Sequence, residues 1–287
     1  MINLLNLTRV ALASLLLLAG ASSAPLAAPA QNGPGVITEE KILVSSAAPV
    51  VSSSDEIIAQ LLLHNQLRDA QLKQYSVVRT YEVRNREGKL SAQEIARMDY
   101  QAPDKKVFQK TSEAGSGFVR HHVFERLMRS ESEAAAGKEH HDSALTPANY
   151  IFTLVGEEDL DSCHCFVLEV TPKRKDKYLF EGKIWIDAQE FAVVRTAGHP
   201  AKNPSFWIHR VEFVRQYQRI DGFWLPFRDE TTVDLRIHGR KIFTIDHANY
   251  SINKADHGEA HASEGLGEER QGAGASTLLP AKCAGPE

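Results

Sequence analysis

Apolar residues along this chain change their period twice. A Ser53-x-x-Glu56 capping box precedes Ile57, Ile58, Leu61, Leu62 and Asn65, which fall on one side of a helix predicted to run to about Gln74. The period then drops to two, the mark of a strand whose successive side chains face opposite sides. From Tyr75 to Asn85, Val77, Arg79, Tyr81 and Val83 share one face, and Val78, Thr80, Glu82 and Arg84 the other. Arg86-Glu87-Gly88-Lys89 reads as a hairpin turn into a strand from about Leu90 to Tyr100. A further strand is predicted around Lys106 to Thr111, after Pro103. Phe118, Val119, His122, Val123, Leu127 and Met128 then recur at steps of three and four, which predicts an amphipathic helix.

From Asn149 the pattern is almost all strand. The candidates are Tyr150–Glu157, Cys163–Pro172, Leu179–Asp187, Ala192–Ala197, Phe206–Ile220, Phe223–Ile237 and Lys241–Ser251. Turn residues separate them, among them Asp176, Gly198, Pro200, Pro204, Asp221-Gly222 and Gly239. Strands joined this tightly should pair antiparallel as a meander. Trp207, His209, Val211, Phe213 and Tyr217 share one face of a long strand. Beyond the Asp221-Gly222 turn, Phe223, Leu225, Phe227, Thr231, Val233, Leu235 and Ile237 continue an apolar face. A sheet with one greasy side, long enough to twist and curl, is the expectation.

Both ends differ from this middle. Arg9 is the sole charge before an apolar run from Val10 to Gly20, and small residues follow through Ala30. The run is too short for a span of about 20 residues and reads as a secretory signal cleaved at Ala28-Pro29-Ala30. Ala21 stands where a lipobox cysteine would be. Residues 31–52 read as a flexible linker, and 254–287, acidic and without aromatic residues, as a disordered tail. One domain remains, Ser53 to Asn253.

The charge balance is close to even over 287 residues, 33 Lys and Arg against 37 Asp and Glu. That argues against a dedicated nucleic-acid binder, which needs a basic face. No nucleophile elbow, His-Glu-x-x-His helix, Walker loop or dinucleotide fingerprint is present, so no catalytic residue, cofactor or metal site is assigned. An exported hydrolase with an unrecognised site is the remaining enzymatic alternative. His140-His141, beside Glu139 and Asp142, reads as a solvated loop. In Cys163-His164-Cys165 an extended strand puts both thiols on one face and His164 on the other. Buried thiols or one opportunistic bridge, with Cys283 within chain reach, are favoured over a redox or metal role.

Aromatic residues crowd the C-terminal strands. A greasy sheet with two helices to cover it can keep an apolar cavity, the usual home of a hydrophobic ligand. Strand parity nominates Phe180, Trp185, Trp207, Phe213, Tyr217, Phe223, Leu225 and Phe227 as its lining.

The order of elements resembles the LolA/LolB/RseB-like superfamily, which includes outer-membrane lipoprotein-sorting proteins. The residues that carry the likeness are Tyr150-Ile151-Phe152, the run Phe166 to Lys173, Glu181-Gly182-Lys183-Ile184-Trp185-Ile186-Asp187 and Gly222-Phe223-Trp224-Leu225-Pro226. The resemblance implies an α+β fold: an open, strongly curved antiparallel β-sheet, a half-barrel, lidded by an N-terminal helix and an internal amphipathic helix. It also implies a periplasmic, non-catalytic carrier holding lipid or lipoprotein acyl chains in an apolar concavity. The alternative on the same fold is an envelope protein-interaction or stress-sensor module. Expected partners are a hydrophobic ligand, transient membrane contact or an envelope protein, for a monomer that binds no nucleic acid. The chain departs from the lipoprotein carriers in having Ala102, not Arg, before Pro103. It also has Gly115-Ser116-Gly117 where they have an Asp-Gly hairpin.

Overall fold

The computed structural model describes residues 53–135, 143–161, 163–176 and 178–253. The expected signal, linker and tail, the His140-His141 pair and Cys283 lie outside these residues.

Helix α1 spans Ser54–Gln71. Its start follows the capping signature: the Ser53 hydroxyl oxygen accepts from the Glu56 amide at 3.3 Å, and Asp55 and Glu56 lie at the positive end of the helix dipole. The helix stops three residues before the expected Gln74, because a residue far along the chain takes over its end. The Asn253 side-chain oxygen accepts from the Lys73 and Gln74 amides at 2.9 and 3.2 Å. Its amide nitrogen donates to the Gln71 carbonyl at 3.1 Å. The chain therefore turns directly into the first strand, and no pattern local to residues 65–74 could reveal that.

Strands β1 (Gln74–Asn85), β2 (Leu90–Gln101) and β3 (Lys105–Gly115) form a meander. A second helical segment, α2, follows: a short turn at Gly117–Val119, a π-helical turn at Arg120–Phe124 and an α-helix at Glu125–Ala135. The later strands are β4 (Tyr150–Leu160), β5 (Cys163–Pro172), β6 (Phe180–Asp187) and β7 (Val193–Pro200). They continue with β8 (Ile208–Ile220), β9 (Phe223–Leu235) and β10 (Gly239–Ile252). Every expected strand is present, with ends moved by a few residues. The β8–β9 hairpin turns on Asp221 and Gly222, both at positive φ (48° and 82°), the backbone that an Asp-Gly pair adopts most readily.

All ten strands join one sheet in the order β3-β2-β1-β10-β9-β8-β7-β6-β5-β4, and each neighbouring pair is antiparallel. β10 returns beside β1, so β3 and β4 become opposite edges, and the segment carrying α2 connects them. The α+β class, the antiparallel sheet and the covering helices are as expected. The curvature is less than expected, for the sheet is neither closed nor strongly curled.

The distribution of the core accounts for this. One cluster gathers Ile57, Ile58 and Leu61 of α1 on Tyr150, Phe166, Leu168, Val170, Phe180, Ile184, Ile186 and Phe213. A second places Phe124, Leu127 and Met128 of α2 on Tyr81, Val83, Ala92, Ala96, Phe243 and Ile245. Ionic side chains occupy the strip between them. Among the described residues, the helices thus cover separate apolar patches, with a further cluster around Leu72, Tyr75, Val77, Met98 and Leu225 beside them. A further cluster, Cys163, Cys165, Val167, Trp185, Val194 and Trp224, alternates along the strands with residues of the α1 core and so lies on the other face. The sheet is apolar on both sides at this end. Among the described residues, no helix is long and apolar enough to cross a membrane.

Candidate functional site

The eight nominated pocket residues disperse. Phe180 and Phe213 meet edge to face with ring centroids 5.5 Å apart beneath α1, with Tyr217 packed at the margin of the same cluster. Leu225 is fully buried with Leu72, Tyr75 and Met98, and Phe223 packs against that group. Trp185 lies on the opposite face, its indole N–H donating to Glu158 at 2.8 Å and the Arg195 guanidinium 5.0 Å from its ring centroid. Trp207 is at the far end of β8, beside Phe206. Phe227 is half-buried and belongs to none of the clusters. The alternation placed Phe180, Phe213 and Tyr217 together; it carried no information on which end of a long strand a helix covers.

A groove of about 300 Å³ opens where the C-terminal half of α1 faces two turns. Leu67, Arg68 and Gln71 form one wall; Phe191, Phe223 and Trp224 form the other. Local chemistry fixes the second wall. The Asp187 carboxylate accepts from the Gln189 and Glu190 amides at 3.0 and 2.7 Å, an Asx turn that leaves Phe191 at φ 46°. Its ring then sits 5.6 Å from that of His64. Glu190 accepts from the Trp224 indole at 2.6 Å and pairs with Arg219 at 2.8 Å. On the helix side, Leu63 and Leu67 are both about half exposed. The Nε atom of Arg68 is buried without a hydrogen-bond partner.

The strip between the two cores holds the strongest electrostatics. Arg79 of β1 makes a two-pronged pair with Glu131 of α2 at 2.8 and 3.3 Å, and Lys106 of β3 reaches the same carboxylate at 2.6 Å. Burial works to raise the Glu131 pKa, but Arg79 and Lys106 outweigh it and hold the carboxyl well below its usual range. Toward β8, Asp229 pairs with Arg215 and with His247 Nε2 at 2.9 Å. Burial opposes ionisation of Asp229, yet Arg215 and His247 keep its pKa low. Burial pushes the His247 pKa down; the neutral ring then donates from Nε2, leaving Nδ1 unpartnered. Glu94, fully buried with neither carboxylate oxygen hydrogen-bonded, has its pKa raised by burial. The Arg79–Glu131–Lys106 group ties α2 to the sheet.

The structure also resolves the cysteine pattern. Cys163 and Cys165 are buried, and His164 faces out between Glu157 and Asp159, 2.8 Å from each. Cys163 is disulfide-bonded and Cys165 is free, its thiol pushed up to about 12 mainly by burial. Among the described residues no group of His, Cys, Asp and Glu has the arrangement to hold a metal ion.

A protein-family model, described as an uncharacterized protein, matches residues 138–257. No curated protein matches the chain. Among solved structures, the chain is similar to a DUF1329 family protein from Desulfovibrio piger ATCC 29098, at 16% identity over 71% of this chain and 94% of that one, with a TM-score of 0.39. It is also similar to LolA superfamily protein NE2245 from Nitrosomonas europaea, at 11% identity over 71% and 96%, TM-score 0.35. A putative outer membrane lipoprotein-sorting protein domain from Vibrio parahaemolyticus matches at 13% identity over 67% and 92%, TM-score 0.35. At these identities they assign no activity to this chain.

Proposed function

We propose that this chain is an exported, non-catalytic carrier that holds one acyl chain of a lipid or lipoprotein in the groove beside α1. The observation that carries the reading is the combination within that groove. Leu67, Phe191, Phe223 and Trp224 supply apolar walls, and Arg68 brings an unsatisfied buried N–H suited to a carboxylate or phosphate. Its volume of about 300 Å³ is at the small end for ligand sites, enough for part of a single chain. Phe180, Phe213 and Tyr217 extend the apolar path beneath α1, which a ligand would enter by lifting the helix. α1 suits such a lid because its buried face is short: Ile57, Ile58 and Leu61.

Titration with an environment-sensitive fatty-acid probe tests this. Saturable binding with one probe per chain is expected, weakened about tenfold by Leu67→Asp, which places a charge in an apolar wall. No saturable binding, or binding unchanged by Leu67→Asp and by Arg68→Gln, would overturn it.

A further inference from the structure

At the end of the sheet remote from the groove, three large apolar side chains project among basic ones. Phe206 is 74% exposed, Ile237 69% and Trp207 39%. They come from two neighbouring connections, 201–207 and the β9–β10 turn, which Arg236 locks together. Its amide donates to the Trp207 carbonyl at 3.0 Å, its Nε donates to the Phe206 carbonyl at 2.6 Å, and its guanidinium lies 4.9 Å from the Phe206 ring centroid. The exposed aromatic pair is therefore held in place by side-chain chemistry.

Around it, residues 86–89, 202–210 and 234–241 carry seven Lys and Arg against two acidic residues, in a chain whose formal net charge is −4. Arg240 is paired with Asp234 and Arg210 with Glu212. Among the described residues, Arg86, Lys89, Lys202, Arg236 and Lys241 have no carboxylate within salt-bridge distance. The β1–β2 and β9–β10 turns also share a hollow of about 710 Å³, but Phe206, Trp207 and Ile237 do not line it.

We infer that this end of the sheet is a docking surface for an anionic phospholipid membrane, with Phe206, Trp207 and Ile237 entering the headgroup layer and the basic ring meeting lipid phosphates. Aromatic and aliphatic tips ringed by Lys and Arg suit the interface, where the apolar body is buried and the charges stay with the headgroups. Charge complementarity selects the lipid: a neutral surface would leave the basic ring unpartnered.

The test uses the purified chain carrying Ile237→Cys labelled with acrylodan, a thiol dye whose emission shifts blue in an apolar setting. Labelling is compared with that of the parent chain, which carries Cys163, Cys165 and Cys283, so that the difference between the two reports the tip. A blue shift is expected on adding vesicles of three parts phosphatidylcholine to one part phosphatidylglycerol, and it should fade at high salt. Arg86→Glu with Lys241→Glu should weaken it at least about tenfold. Phe206→Ser with Trp207→Ser should weaken vesicle flotation of the unlabelled chain while leaving its thermal unfolding in place. No shift, an equal shift with pure phosphatidylcholine, or a shift produced by polyglutamate and not by anionic vesicles would overturn the inference. The groove lies beyond the other end of β8 and β9, so failure here leaves the acyl-chain reading standing.

Discussion

Replacing Glu131 with Gln should destabilise the fold far more than a surface change would. The substitution keeps volume and shape but removes the carboxylate charge that faces Arg79, only 2% exposed, and Lys106, 11% exposed. Breaking a buried ion pair on one side costs about 3–5 kcal/mol, because the remaining charge stays buried without a counter-ion. For a domain of this size each kcal/mol lowers the melting temperature by about 2–4 °C, so the drop should be about 6–20 °C by calorimetry or circular dichroism. The pH dependence follows from the direction of the shift. The Glu131 carboxyl titrates lower in the fold than in the unfolded chain, so its stabilisation is present above the unfolded value of about 4.3 and is lost as pH falls toward the folded one. Asp229 behaves alike, and both deepen acid unfolding below about pH 4. Replacing Arg79, Lys106 and Glu131 together by apolar residues of similar volume should recover most of the loss. A drop under about 2 °C for Glu131→Gln, or a triple variant less stable than the single one, would refute the claim that this cluster ties α2 to the sheet through paired buried charge.

Three further outcomes follow from the same geometry. Glu94→Gln should raise stability at pH 8 and lose that advantage in acid, because the buried carboxyl titrates higher in the fold than in the unfolded chain and so costs stability once pH exceeds its unfolded value; melting curves at pH 4 and pH 8 with equal differences would contradict this. Asn253→Ala should cost about 0.5–1.5 kcal/mol, since it passes the exposed Lys73 and Gln74 amides and Gln71 carbonyl from a side-chain partner to water; urea unfolding with an unchanged midpoint would rule the latch out. Iodoacetamide at pH 8 should leave Cys165 unmodified in the native protein and alkylate it after denaturation, given a buried thiol with a pKa near 12; mass mapping that finds native modification would contradict the burial.

The fold was largely legible because period-two alternation is long and regular here. The ten strands, the turn at Asp221-Gly222 and the outward His164 could all be read from local pattern. Sheet order could not, because the β1–β10 pairing joins distant stretches, such as Tyr81 with Ile245. The ionic strip left a visible trace. Arg79 shares a face with Val77 and Tyr81, and Arg215 with Phe213 and Tyr217, so charged residues stood at core parity. Glu131, the partner of Arg79, sits in a polar stretch of α2 that periodicity alone could not aim. The candidate pocket was only partly legible: parity assigns a face, whereas the groove depends on where α1 ends, and Asn253 decides that from 182 residues away.

The most direct test of the carrier reading is native mass spectrometry of the protein purified from the envelope of its own host, without detergent. A fraction of molecules should be heavier by the mass of one acyl lipid or lipid fragment, released by organic extraction and reduced in the Leu67→Asp chain. A population of bare protein alone, or a stoichiometric protein partner with no lipid, would contradict it.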